Sequence, residues 1–206
     1  MTQRRISIFP LGGAIVFPGM QLPLHIFEPR YRALVSDSLA RDRLIGMIQP
    51  KGRDEPQPIY NIGTLYNIAE FEILDDGRYN IMLDGVARFT VVQELEVTTP
   101  FRQVEAESWI EVENSELLSI AERAALEQAS RRYADIQGYA VDWTEVSKLD
   151  DYALVNAIAQ IAPFDGAAKQ ALLETRGLGM RSELIIQMMQ FFGRHDGSSD
   201  RQITLQ

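Results

Sequence analysis

The sequence predicts an α+β fold in which a strand-rich first part gives way to helices near residue 114. Short runs rich in β-branched and aromatic residues recur between residues 6 and 112, and beyond Asn114 apolar residues recur at helical spacing. A third observation is residues 9–31, FPLGGAIVFPGMQLPLHIFEPRY, where four prolines punctuate apolar runs over 23 residues.

Proline fixes φ and removes a backbone donor, so Pro10, Pro18 and Pro23 exclude a helix interior or a central strand and leave short extended pieces. The first strand is expected at 6–11. Beyond Phe27, Tyr31, Leu34, Val35, Ser38 and Leu39 share one side of a helix, while Arg30, Arg32, Asp37 and Arg41 lie elsewhere. Pro29 suits the first position of that helix, and Glu28 the positive end of its dipole. Further strands are expected at 44–48, 65–74, 79–83, 86–94 and 101–112, with a charged, proline-containing loop at 51–58. Asp75-Asp76-Gly77 supplies the hairpin turn. In the last strand Val104, Ala106, Ser108, Ile110 and Val112 alternate with Glu105, Glu107, Trp109, Glu111 and Glu113, which gives it one wet, acidic face.

Asn114 and Ser115 read as helix caps where the periodicity changes. Leu118, Ala121, Ala125 and Ala129 form one stripe; Tyr152, Val155, Ile158, Ile161 and Ala162 form a second; Leu172 and Leu173 belong to a third helix closed by Gly177. Asp142 with Glu145 reads as a capping box and Asp165 as a plain cap. The last helix, 182–193, is apolar nearly all round, with a polar stripe only at Glu183, Gln187, Gln190 and Arg194. Such a helix is covered within its own subunit or forms a dimer or partner interface. The expected organisation is a β lobe at 1–113, a helical lobe at 114–194 and a flexible tail at 195–206.

Composition narrows the function. The net charge is −9, and residues 51–150 carry twenty acidic and nine basic side chains, whereas residues 1–50 carry six basic and three acidic ones. Phosphate binding needs clustered Lys and Arg, so nucleic acid is not an expected partner; Arg30, Arg32, Arg41 and Arg43 read as a solvated helix face, with a small local basic patch as the alternative. Cysteine is absent, which removes thiol nucleophiles and thiolate metal sites and fits a reducing, cytoplasmic setting. Arg4-Arg5 before an apolar stretch superficially suggests an export signal, but Pro10, Gly12, Gly13 and Pro18 interrupt its core. No apolar run approaches the ~18 residues that span a bilayer, so a membrane is not expected either.

The chain has no G-x-x-x-x-G-K-[ST] phosphate loop, H-E-x-x-H, EF-hand loop, G-x-S-x-G or G-x-G-x-x-G motif. His25 and His195 are its two histidines; His25, inside an apolar run, reads as a hydrogen-bonded structural residue, and His195 falls in the tail. Ser147-Lys148 is a sequence neighbour pair rather than an assembled dyad, and Asp75-Asp76 and Asp150-Asp151 are accounted for by turns and caps. No catalytic residue, metal ligand or cofactor is assigned.

The opening segment is followed in order by Leu44-Ile45-Gly46, Asn61-Ile62-Gly63-Thr64-Leu65, Asp76-Gly77-Arg78, Leu83-Asp84-Gly85-Val86-Ala87-Arg88-Phe89 and Ala168-Lys169-Gln170-Ala171-Leu172-Leu173-Glu174 before a final apolar helix. This series, over roughly residues 6–193, resembles the N-terminal, substrate-binding domain of Lon proteases. The resemblance implies a PUA-like β pseudo-barrel with one early helix, then an α-helical bundle, and a role in capturing polypeptides. The chain ends where an ATPase would begin, so the expectation is a free-standing bacterial member without ATPase or peptidase, and not an enzyme. Gly46, Gly63 and Gly85 are expected to allow bends or close backbone approach, and Arg88 to hold a loop by hydrogen bonds.

The leading expectation is a non-catalytic polypeptide-binding module, an adaptor or quality-control accessory. Its partners would be unfolded or partner polypeptides, an ATP-dependent protease acting separately, and a second copy in a homodimer. Candidate interaction residues are Phe17, Pro18, Phe27, Glu28, Arg30, Tyr31, Arg88, Met188, Met189 and Phe192. Two alternatives stand beside it: a small enzyme with a scattered carboxylate and Arg site, and an RNA-binding PUA-like protein.

Overall fold

The computed structural model describes residues 3–13, 15, 17–52, 57–109 and 116–195. In chain order the elements are β1 (Gln3–Pro10), β2 (Gln21–Ile26), α1 (Pro29–Leu39), β3 (Leu44–Ile48), β4 (Ile62–Ile73), β5 (Tyr79–Leu95), β6 (Gln103–Ser108), α2 (Ile120–Gln137), α3 (Trp143–Val146), α4 (Asp151–Ile161), α5 (Gly166–Glu174) and α6 (Leu178–His195). They form an α+β fold of two compact units. The first holds the described residues up to 109 together with Asp165–Leu173; the second holds those from 116 to Phe164 and from Glu174 onward.

In the first unit the strand order is β2-β5-β4-β3-β1-β6, and β5 also pairs with β6. That extra pairing closes β5, β4, β3, β1 and β6 into a ring and leaves β2 outside it. Only β1 and β3 run parallel, and the other pairs are antiparallel. Pro23 therefore sits where proline is tolerated, on a strand paired along one side only, while Pro10 ends its strand. The expected strands 79–83 and 86–94 are one continuous strand, because its partner changes midway: residues up to Asp84 pair with β2 and those from Phe89 pair with β6. Residues 110–112 of the expected strand 101–112 lie outside the described residues.

One apolar cluster gathers Ile6, Ile8, Ile48, Leu65, Phe89, Val104 and Ala106. Its packing leaves no space at two glycines. A β-carbon on Gly63 would lie 2.5 Å from the Met47 carbonyl oxygen and 2.7 Å from the Phe89 ring, and one on Gly46 would lie 2.7 Å from Ile6. A second cluster forms around α1, which buries Tyr31, Leu34, Val35 and Ser38 as its spacing predicts. Pro29 opens α1, and the extended Glu28 gives its carbonyl to the Tyr31 and Arg32 amides. At the β4–β5 hairpin Gly77 takes φ 77°, and the Leu74 amide donates to the Arg78 carbonyl at 2.9 Å.

Helix α5 is grouped with the helical lobe by its sequence position, but residues Asp165–Leu173 belong to the first unit, where hydrogen bonds join them to β4, to β5 and to Gln49 just after β3. Gln170 donates to the Ile62 carbonyl at 3.0 Å, and Gln49 donates to the Gly166 carbonyl at 2.7 Å. Arg88, 2% exposed, donates to the Leu173 carbonyl at 3.2 Å while its guanidinium lies 4.4 Å from the Trp109 ring centre. It thus holds the end of a helix, where carbonyls lack intrahelical donors and a cation is favoured, rather than a loop.

In the second unit α6 packs on α2 and α4. The expected caps Asn114 and Ser115 lie outside the described residues; Ser119 caps α2, in a reciprocal box with Glu122. The alanine stripe is corrected as well: Ala121 and Ala125 are exposed, and α2 buries Leu126, Ser130, Tyr133 and Ala134 instead. Larger side chains remove more apolar area from water, so they set the rotation of the helix. Asp142 caps α3, Asp150 caps α4, and Asp165 caps as expected, accepting from the Ala168 amide at 2.8 Å. Asp151 is no cap. It turns inward, 2.6 Å from Arg123, and accepts from the Leu118 amide. Burial alone would raise its pKa, but the Arg123 bond and the Leu118 amide outweigh that and hold the carboxyl below its ordinary range. Arg181, 1% exposed, donates to Asn156 and to the Thr175 carbonyl.

Candidate interaction surface

Beyond the closed ring, β2, the first half of β5 and the second half of β4 form a three-stranded flap. The register places Pro23, Met82 and Glu70 in one row and His25, Asn80 and Glu72 in another. Directly opposed residues share a face and successive residues alternate, so these two rows lie on one face of the flap. The Leu24–Ile81–Phe71 row between them and the Ile26–Tyr79–Ile73 row beyond lie on the opposite face, where Ile26 and Ile81 are buried in the α1 cluster while Phe71 and Ile73 are exposed. A shallow groove of about 560 Å³ runs over the flap, lined by Pro23, Leu24, His25, Glu70, Phe71, Glu72, Asn80, Ile81 and Met82.

Hydrogen bonding orders the polar row. Arg78 has only donors, so at 3.2 Å it donates to His25 Nε2; Nδ1 then carries the hydrogen and donates to Asn80 Oδ1 at 2.7 Å. Asn80 Nδ2 in turn donates to Glu72 at 2.9 Å. His25 is therefore hydrogen-bonded as expected, but exposed rather than buried in apolar surroundings. Glu70 makes no hydrogen bond or ion pair among the described residues.

Two strand edges of the flap have no strand partner among the described residues. β2 pairs with β5 alone, and β3 accompanies β4 only as far as Asn67, after which the Ile68 amide bonds to the Arg43 carbonyl. Residues Glu70, Phe71, Glu72 and Ile73 are all exposed.

The sequence candidates separate by burial. Phe17, Pro18, Tyr31, Arg88 and Met189 are buried. Phe17 and Pro18 belong to a turn bonded to Gly85, through Gly19 to the Gly85 carbonyl and Gly85 to the Met20 carbonyl, both at 2.9 Å. Met188 and Phe192 are half-buried in the second unit, where Phe192 packs 5.5 Å from the Phe164 ring. Phe27, 61% exposed, and Arg30 are exposed, and Glu28 is half-buried and paired with Arg30 at 3.0 Å. Phe27 lies 6.4 Å from the His25 ring, so it is the candidate that adjoins the groove. Sequence reasoning missed Pro23, Glu70, Glu72, Asn80 and Met82 as its lining. The available signals were a proline within an extended run and the Glu-Phe-Glu-Ile alternation.

A second groove, of about 470 Å³, lies between α2 and α6, where Ala125, Ala129 and Gly193 leave space beside Tyr133, Ile136, Ile186 and Met189. Other groups with displaced pKa values lie away from the flap groove. Glu122 is lowered by its Ser119 bonds, Arg123 is raised by Asp151, Asp76 is lowered by the Arg78 amide, and burial lowers Lys169. Among the described residues no group of three or more His, Cys, Asp or Glu is placed to hold a metal ion.

The fold has solved counterparts. A Lon N-terminal domain protein from Xanthomonas campestris superposes with a TM-score of 0.69 at 20% identity, covering 89% of this chain and 98% of that one. The N-terminal domain of the Mycobacterium avium complex Lon protease gives 0.64 at 17% identity, covering 91% and 98%. Among curated relatives, Lon protease 2 of Myxococcus xanthus is 27% identical over 89% of this chain, and Lon protease 1 of Syntrophobacter fumaroxidans is 30% identical over 86%. The chain spans 23% of the length of each of these relatives. The family model described as the ATP-dependent protease La (LON) substrate-binding domain matches residues 5–190, and the chain belongs to that family.

Proposed function

We propose that the chain is a polypeptide-binding module and that the flap formed by β2, β5 and β4 is its contact surface. The observation that carries this reading is an open-edged sheet beside a groove and an exposed Phe27, in a chain of a substrate-binding family. An extended segment satisfies its backbone against a free strand edge and seats alternate side chains on the adjoining face, which demands little of its sequence. Such a module would serve as an adaptor or quality-control accessory that delivers exposed segments to an ATP-dependent protease, in keeping with the names of its relatives. The free carboxylate of Glu70 and that of Glu72 weigh against a phosphate backbone as ligand. Among the described residues no helix is long and apolar enough to cross a membrane.

Titration of the folded protein with a permanently unfolded model polypeptide tests the reading. Binding should be saturable, and Met82→Lys with Phe27→Ser should weaken it about tenfold without moving the thermal midpoint. No binding at ~100 μM polypeptide, or full binding by the double variant, would remove it.

A further inference from the structure

Resting on that reading, we propose that the free edge of β4 selects extended segments in which Lys or Arg alternates with apolar residues. β4 loses its β3 partner after Asn67 yet continues to Ile73, paired on the other side with β5. Over this stretch Glu70 and Glu72 point to one face, and Phe71 and Ile73, 42% and 59% exposed, point to the other. A strand added here would place its own residues directly opposite these four, with side chains about 5 Å apart. Opposite charges in such pairs attract and like charges repel. One face of the incoming segment would thus be basic, to meet Glu70 and Glu72, and its other face apolar, to meet Phe71 and Ile73.

Existing contacts leave the carboxylates available. Glu70 has no partner among the described residues, and Glu72 accepts one bond, from Asn80. Of the nearby cations, Arg78 is engaged with Asp76 at 2.6 Å, and Arg43 lies over the Phe71 ring at 5.8 Å rather than on either carboxylate.

The experiment compares short peptides of alternating Lys and Val, of alternating Glu and Val, and of Lys and Val grouped in blocks, by fluorescence anisotropy. The same peptides are titrated into a Glu70→Lys/Glu72→Lys variant. A Glu145→Lys/Glu183→Lys variant carries the same change in net charge at exposed sites of the second unit. The alternating basic peptide should bind about tenfold more tightly than either of the others, and the flap variant should reverse its preference over the acidic peptide while the control keeps it. Equal affinities for the alternating peptides, or equal loss in both variants, would overturn this inference and leave polypeptide binding standing. Failure of every peptide and of the unfolded polypeptide would overturn both.

Discussion

One strand, β5, lives in two environments. From Gly85 onward it belongs to the closed ring, where Phe89 is fully buried between Gly46 and Gly63 and Arg88 is locked onto α5. Up to Asp84 it runs through the flap, where Asn80 is exposed and Met82 half-buried beneath the groove. The change falls at Gly85, where a β-carbon would stand 2.6 Å from the Phe17 carbonyl oxygen. The first half also buries Ile81 and Leu83, so what distinguishes it is its other face, where Asn80 and Met82 stay accessible.

The sharpest way to break this contrast is Gly63→Val. With a backbone carbonyl and a buried ring both inside contact distance, strain should exceed the ~1–3 kcal/mol typical of overpacking and abolish cooperative unfolding in calorimetry. Arg88→Met should lower stability by about 1–3 kcal/mol, because the Leu173 carbonyl loses a buried donor, and denaturant melts read this directly. At the hairpin tip Gly77→Ala forces a side chain onto a left-handed residue and should cost about 1 kcal/mol. Met82→Lys, on the open half, should change stability by less than ~0.5 kcal/mol while weakening polypeptide binding. If it unfolds the protein, the two halves of β5 do not differ as described.

Acid supplies a further contrast, with the second unit. Asp151 has a folded-state pKa below its unfolded value, so its contribution is complete above the ordinary carboxylate pKa of about 3.9 and disappears as pH falls through the lower folded value. The thermal midpoint should therefore drop below about pH 4, and Asp151→Asn should flatten that dependence.

Local chemistry made much of this fold legible. Pro29 and the spacing of Tyr31, Leu34 and Val35 mark α1 in the sequence, and Asp76-Gly77 marks the hairpin. The close approaches at Gly46, Gly63 and Gly85 also agree with their sequence reading. What escaped depends on partners that a sequence does not name. Ala121 and Ala125 have helical spacing, but competition from Leu126 and Tyr133 decided which side of α2 is buried. The Glu70 to Ile73 alternation marks a two-faced strand; only the end of β3 pairing at Asn67 reveals that its edge is open.

The placement of α5 has a consequence for dissection. The chain leaves the first unit before residue 116 and returns to it for Asp165–Leu173, so the strands and their helix are not contiguous in sequence. A fragment ending at 113 would strip Gln49, the Ile62 carbonyl and Arg88 of the partners that α5 supplies. Its failure to fold would say nothing about how independent the strands are. A faithful minimal protein must instead splice that helix back through a short linker.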